Sequence, residues 1–318
     1  MLRSLHEGQS GTSIPLGIAW KEVNRTEAHL AFLKMINTKP NASVLACADL
    51  NCDPGIAVVC DSANETEIRS RISGRLFDCM MEGCELFEVE DDPVMQNLFG
   101  DVVASVYKAM PTMKREDFQV VTHIRLKDSE KENCSAVIRS NIKAAIKRMR
   151  TKWVEAAVLH WPRSFTKDQI IDAWMEMEKL YRDGLARAVG IEGYPGDLRV
   201  FAARPIKPQL LYIPKGARVF PSDMIGRVRA EPLQLVTRFP VKPKWLAPPL
   251  PSLARALKKP SGDLARAWFN DEDIATFHPI EDVVNITNMT HKMFSAKTLL
   301  GNHELSCIKN SLCYPVRQ

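Results

Sequence analysis

Residues 154–162 read Val-Glu-Ala-Ala-Val-Leu-His-Trp-Pro, and residues 184–193 read Gly-Leu-Ala-Arg-Ala-Val-Gly-Ile-Glu-Gly. Each segment contains a short, continuous apolar run, which predicts strands over 156–160 and 187–191, with a helix over 167–182 between them. Continuously apolar strands that alternate with helices are typical of parallel βα units, whose sheet is buried on both faces. The stretch therefore predicts part of a parallel α/β fold.

The same alternation extends in both directions along the chain. Further strands are predicted over 43–48, 56–60, 86–89, 118–124, 209–213, 233–239 and 275–278, and further helices over 62–82, 95–110, 136–151, 252–258, 263–269 and 282–293. With right-handed crossovers, about eight such units close naturally into a barrel. A barrel of this kind takes about 250 residues, so a chain of 318 residues has room for one barrel with insertions.

The composition is that of an ordinary globular chain, with 45% hydrophobic and 25% charged residues and a net charge of +5. The chain contains no apolar run of the roughly 20 residues that a membrane span requires, so we expect no membrane partner. Its eight cysteines are scattered without a Cys-x-x-Cys pair, which favours reduced thiols over a metal finger.

Several segments together resemble the aldo-keto reductase family. Residues 14–21 are similar to its opening segment, 83–88 to its Gly-Ile-x-x-Phe-Asp motif and 114–118 to its Arg-Glu-Asp entry, while 154–162 and 184–193 resemble its fourth and fifth strands. Gly100 falls where the family's following helix carries a glycine. The resemblance implies one (β/α)8 barrel over residues 1–318, with an insertion over 37–75, a proline-rich segment over 214–251 and a tail over 295–318.

The resemblance also implies positions for the active site. The family reduces carbonyls with NADPH, using a tyrosine as the proton donor, an aspartate and a lysine that tune it, and a histidine that orients the substrate. Carried over by motif, these positions hold Pro93 for the tyrosine, Glu88 for the aspartate, His123 for the lysine and His160 for the histidine. Because proline has no ionisable group, the central acid is absent and only the histidine is retained.

The cofactor site departs from the family's pattern as well. Gln209 matches a family glutamine and Asn288 matches the closing Glu-Asn motif, but Glu192 and Gly193 replace a Ser-Asn pair. In the phosphate-binding segment, Val284 stands at the usual arginine or glutamine, with Glu281 and Asp282 nearby. Two carboxylates would repel a 2′-phosphate, so we expect no bound cofactor.

Three functions remain open on the sequence. The favoured one is a catalytically inactive barrel that serves as a structural subunit of a larger assembly. The second is an NAD(P)H-dependent oxidoreductase with a rearranged site, for which Tyr107 or Tyr194 would have to supply the acid. The third is a metal enzyme using Glu88, His123 and His160, since two histidines and a carboxylate match a non-haem iron triad. Otherwise His160 is a rim histidine hydrogen-bonded to its neighbours.

Clustered basic residues suggest partners for the inactive barrel. Lys143, Lys147 and Arg150 recur at helical spacing, either as a solvated face or as a contact with RNA phosphates. The partners expected are other protein subunits, with RNA as a further candidate. The basic opening Met-Leu-Arg-Ser-Leu-His favours a mitochondrial location and a ribonucleoprotein such as the mitochondrial ribosome; the alternative location is cytoplasmic.

Overall fold

Eight parallel strands close into a barrel in the computed structural model of the chain. The structure describes residues 48–49, 65–81, 86–194, 196–213, 233–238, 254–255, 258 and 275–279. The strands are β1 (Ala48–Asp49), β2 (Leu86–Val89), β3 (Gln119–Arg125), β4 (Ala156–His160), β5 (Val189–Glu192), β6 (Leu210–Tyr212), β7 (Gln234–Arg238) and β8 (Ala275–Pro279). This confirms the predicted (β/α)8 architecture.

The barrel is closed by β1, which pairs with β2 through Ala48 and Phe87 and with β8 through Ala48 and His278. The predicted insertion over 37–75 is therefore wrong in part, because the first barrel strand and most of the first helix lie within it. Residues 14–21, which resemble the family's opening segment, lie outside the described residues.

Four helices of the described residues cover the outside of the barrel: α1 (Glu65–Met81), α2 (Pro93–Ala109), α3 (Cys134–Arg148) and α4 (Lys167–Arg182). Their starts follow local chemistry. Asp92 caps α2 by accepting from the amides of Val94 and Met95, and Thr166 caps α4 through a capping box with Gln169. The strands β2 and β4 and the helix α4 have the predicted bounds, and the other predicted elements among the described residues differ by a few residues.

The core lies between the barrel and its helices. The large side chains Phe87, Phe99 and Phe118 pack ring against ring under α2, and Trp174 and Phe201 pack together beside α4. Fully buried aromatic side chains of this size contribute much of a core's apolar burial. They fix the helices on the strands whose ends carry the candidate site.

A buried carboxylate ties the loops at the N-terminal end of the barrel, the end at which strands begin. Glu155 accepts from the amide of Val120 at 2.7 Å, from Trp153 Nε1 at 2.7 Å and from Arg115 at 3.0 Å. Arg115 also donates to the carbonyl oxygen of Trp153 at 2.8 Å. The Arg-Glu-Asp segment at 115–117 thus joins the loop before β3 to the loop before β4.

Some predictions fall outside the described residues or need correction. The predicted strand over 56–60, the helices over 263–269 and 282–293, the tail over 295–318 and most of the proline-rich segment lie outside them. Cys134 is a free, buried thiol, but Cys79 is disulfide-bonded, which contradicts the expectation of uniformly reduced thiols. No helix among the described residues combines the length and apolarity that a bilayer crossing requires.

Candidate functional site

The C-terminal ends of the strands bring several polar side chains to one end of the barrel, which we call the mouth. Glu88 lies in β2 and His123 in β3, while His160, Glu192 and Tyr212 end β4, β5 and β6. The register pairs Arg125 with His160 and Glu192 with Tyr212. Parallel strands end at the same edge, so these residues meet where barrel enzymes carry their chemistry.

Glu88 and His123 form the buried centre of the mouth. Nε2 of His123 and Oε1 of Glu88 lie 2.5 Å apart, within a hydrogen bond, and both side chains are 0% exposed. The other ring nitrogen, Nδ1, lies 3.7 Å from Oε2 of Glu192. The imidazole therefore lies between two carboxylates. Its ring also packs edge-on against the ring of Tyr212, with the two ring centroids 4.9 Å apart.

Arg125 extends this cluster towards solvent. Its guanidinium binds Glu90 through two hydrogen bonds of 2.9 and 2.8 Å and reaches Glu192 at 3.2 Å. Its amide donates to Asp91 at 3.3 Å. Burial raises the pKa of Asp91, against the effect of that hydrogen bond. We call Glu88, His123, Glu192, Arg125 and Glu90 the mouth network, because each member contacts the next.

The sequence resemblance aligns Pro93 with the family's proton donor, and in the structure this residue has a structural role. It is the first residue of α2, immediately after the capping residue Asp92, and it is exposed. Proline suits this position because its fixed φ is helical and it has no amide hydrogen to satisfy. At the position that the resemblance aligns with a tyrosine acid, this chain therefore begins a helix with a residue that has no ionisable group.

His160 lies half-buried at the mouth. Burial lowers its pKa, Arg125 and His123 act in the same direction, and the Glu192 carboxylate opposes them. Within the described residues its ring makes no hydrogen bond or ion pair, so the neighbours expected to bind a rim histidine are not found there. Its carbonyl oxygen accepts from the amide of Leu126 at 2.9 Å.

The predicted metal triad is only partly brought together. The ligand atoms of Glu88, Glu90 and His123 lie within 4.8 Å of one another, a separation that a single cation could span. His160 is not a member of this set, so its place in the triad is taken by Glu90. A cation bound by this set would compete with Arg125 for Glu90, because the guanidinium already binds both carboxylate oxygens of Glu90.

The other predicted site residues lie away from this centre. Tyr107 packs on Phe118 near the N-terminal end, with ring centroids 6.1 Å apart. Tyr194 follows β5 at the mouth and is 39% exposed. Gln209 accepts from the amide of Val189, the first residue of β5, about 10 Å along the strand from Glu192 at about 3.3 Å per residue. Asn288 lies outside the described residues.

Sequence reasoning missed three participants, Glu90, Arg125 and Tyr212. A signal existed for two of them. Side chains alternate across a strand, so a residue two positions beyond a mouth residue lies on the same side of the chain. Glu90 stands two positions after Glu88, and Arg125 two after His123. For Tyr212 the apolar pattern of β6 offered no such indication.

Comparisons with known proteins agree with this geometry. The model of the Aldo/keto reductase family matches residues 96–201. A glyoxal reductase of Bacillus subtilis (strain 168) is 28% identical over 80 residues, which are 25% of this chain and 26% of that protein. The chain thus aligns with about a quarter of this curated relative's length.

Solved structures share the fold at low identity. An aldose reductase from Schistosoma japonicum has a TM-score of 0.60 at 16% identity, with 85% of this chain and 89% of that chain covered. An aldo-keto reductase of the silkworm, Bombyx mori, has a TM-score of 0.62 at 14% identity, with 86% of each chain covered. The same silkworm enzyme complexed with NADPH also scores 0.62, at 13% identity and 85% coverage of each.

The closed barrel with polar side chains at its strand ends defines a (β/α)8-barrel protein. Residues 96–201 match the family model and the solved structures share the barrel, so the chain has the aldo-keto reductase fold and is similar to that family.

Proposed function

We propose that this barrel has lost carbonyl reduction and serves as a non-catalytic structural subunit of a larger assembly. One observation carries the proposal: the mouth network. The residues at the family's aspartate and lysine positions, Glu88 and His123, are buried against each other, and Pro93 supplies no proton. A carbonyl reductase needs an acid within hydrogen-bond reach of the substrate oxygen.

The charge of the mouth also argues against NADPH. Glu88, Glu90, Asp91 and Glu192 place four carboxylates around one guanidinium and one imidazole. A polyanionic cofactor binds where cations and free amide donors converge. The described residues of the mouth do not fit this group, in line with the replacements at Glu281, Asp282 and Val284 in the sequence.

Titration of the purified chain with NADPH tests this proposal. By isothermal calorimetry and cofactor fluorescence, we expect no binding tighter than about 10 μM, near −7 kcal/mol. A smaller dissociation constant would contradict the proposal. So would oxidation of NADPH with a carbonyl substrate at a rate above that in buffer alone. An active aldo-keto reductase measured in parallel is the positive control.

The contact of Tyr212 with His123 favours a second candidate, a reductase with a rearranged site. In that case the Tyr212 phenol would replace the missing donor, beside a Glu88–His123 pair that stands in for the family's aspartate and lysine. If turnover is found, Tyr212→Phe should abolish it, and Tyr194→Phe is the matched control.

A metal-dependent function rests on the Glu88, Glu90 and His123 set. Its test is metal analysis of the chain as isolated, followed by titration with Fe²⁺ and Mn²⁺. Stoichiometric metal that is lost in Glu90→Gln would favour this candidate over the inactive barrel. Weak metal binding that is equal in the wild type and in Glu90→Gln would exclude the metal-dependent function.

For the assembly, we propose other protein subunits and RNA as partners, in a mitochondrial ribonucleoprotein such as the mitochondrial ribosome. The mild basicity of the chain and its N-terminus support this. Isolation of the native complex from its source, with its mass and RNA content determined, tests the proposal. A chain that migrates alone, or a complex found only in the cytoplasm, would contradict it.

A further inference from the structure

Among the described residues, the N-terminal end of the barrel exposes lysines, whereas the mouth gathers carboxylates. Four lysines from α2, α3 and the loops that follow these helices are exposed there: Lys108, Lys114, Lys147 and Lys152. Lys143 is exposed one turn before Lys147 on α3, a helix that contains no acidic residue. We call these five lysines the basic end.

The loops of the basic end are held next to each other. Arg115 donates to the side chain of Thr151 and to the carbonyl oxygen of Trp153, which joins the loop that carries Lys114 to the loop that carries Lys152. Helices α2 and α3 pack together, and Gly100 lies directly on the backbone of Arg148 and Met149. The loops that carry Lys114 and Lys152 are therefore joined to each other, beside the packed helices α2 and α3.

Several nearby carboxylates are engaged by arginines, and Asp117 accepts from the backbone amide of Lys114. Asp183 and Glu176 bind Arg139, Asp101 binds Arg150, and Glu155 binds Arg115. The five lysines make no ion pair with any residue that the structure describes. This corrects one of the predicted RNA contacts: Arg150 lies beyond the end of α3, has a positive φ of 55° and is paired with Asp101.

From this surface we infer that the basic end binds the phosphate backbone of RNA. Protein interfaces are enriched in aromatic residues and methionine at their centre and depleted in lysine. Among the described residues, α3 and the two joined loops expose lysines but no large hydrophobic side chain. Unpaired lysines on such a surface suit a polyanion bound through its phosphates, without base readout.

This inference rests on the proposed ribonucleoprotein role and assigns the contact to one end of the barrel. The mouth would repel RNA because of its carboxylates, so binding should orient the barrel with the former active site facing away. A contact made only through phosphates should depend on salt rather than on base sequence.

The test is binding of a fluorescent single-stranded poly(U) oligonucleotide to the full chain over a salt series. The variant Lys114→Glu/Lys147→Glu/Lys152→Glu should lose at least about tenfold in affinity, and its log–log salt slope should fall by about 2, since each lost phosphate contact removes about 0.7. The matched control is Lys127→Glu/Arg163→Glu/Lys167→Glu, which makes the same charge change with exposed residues near the mouth.

The control triple should keep most of the wild-type affinity. The inference is overturned if both triple variants lose the same affinity for poly(U), or if the wild-type chain shows no salt-dependent binding. A triple change of the same three lysines to Gln, checked by thermal unfolding, separates lost contacts from lost folding. If RNA binding fails while NADPH is also not bound and the chain still co-sediments with protein subunits, the inference fails and the non-catalytic role stands.

Discussion

The imidazole of His123 lies 2.5 Å from the carboxylate of Glu88, and neither side chain is exposed. The sequence resemblance aligns these two residues with a lysine and an aspartate that act on the proton donor in aldo-keto reductases. Here the pair faces no tyrosine from the loop after β2, because that position starts α2 with Pro93. The acid–base pair persists as a structural contact, and its effect can be measured as stability.

Breaking the pair from one side should be costly. In Glu88→Leu, the free energy of unfolding should fall by about 3 kcal/mol, because His123 then loses its buried partner. In Glu88→Leu/His123→Leu it should fall by less, since well-packed apolar residues replace both partners. Urea denaturation of the wild type and the three variants, His123→Leu included, measures the coupling directly.

An additive result for these two changes would contradict a coupled pair. The matched control is His160→Leu, whose ring is half-buried and makes no hydrogen bond within the described part of the chain. We expect it to change the free energy of unfolding by less than about 1 kcal/mol, as for a site with no buried partner.

His160 should make stability depend on pH in a defined direction. Its pKa is lowered in the fold, chiefly by burial, so the unfolded chain binds the proton more tightly than the native chain does. The free energy of unfolding should therefore be higher above the unfolded value of about 6.5 and should decrease as the pH falls towards the folded pKa. In His160→Gln this contribution is absent, so the variant should lose less stability between about pH 7.5 and about pH 5.5. An identical pH dependence for both chains would contradict the prediction.

The disulfide-bonded state of Cys79 is the finding least expected from the sequence. When the chain is denatured without reductant and alkylated, Cys79 should remain unmodified, whereas Cys134 should be alkylated as a free thiol. Mass spectrometry of the peptides decides between the two states. Alkylation of Cys79 without reduction would contradict the disulfide and support the reduced thiols that the scattered cysteine pattern predicts.

The sequence predicted the barrel well where its strands are continuously apolar. The segments around β4 and β5 have the clearest pattern, and the bounds of β4 and α4 were predicted to the residue. It predicted a strand over 43–48, which adjoins β1, but assigned that segment to an insertion instead of to the barrel. A deletion of residues 40–60 would remove β1, the strand that closes the barrel by pairing with β2 and β8.

The site was predicted by position but not by interaction. Motif matching located Glu88, Pro93, His123 and His160, but it could not show that Glu88 and His123 contact each other. Nor could it show that Arg125 joins Glu90 to Glu192, because Arg125 and Glu192 lie in different strands and Glu90 follows a third strand. Such contacts depend on the register between strands, which spacing within one segment does not contain.

Gly100 lies where α2 packs closely against the end of α3, the helix that carries Lys143 and Lys147 of the basic end. A Cβ at Gly100 would overlap the carbonyl oxygen of Arg148 and approach the backbone of Met149. Backbone atoms cannot rotate away as a flexible side chain can, so Gly100→Ala must push the two helices apart. Overpacking of this kind costs about 1–3 kcal/mol.

The matched control is Gly74→Ala in α1, where a Cβ meets nothing within 4 Å. There the change should stabilise the chain by about 0.5–1 kcal/mol, because alanine loses less backbone entropy than glycine in a helix. Thermal and urea unfolding of both variants measures the difference in sign. Since α3 carries Lys143 and Lys147, Gly100→Ala should also weaken poly(U) binding, while Gly74→Ala should not. Equal stability changes in the two variants would mean that α2 and α3 are not in close contact at Gly100.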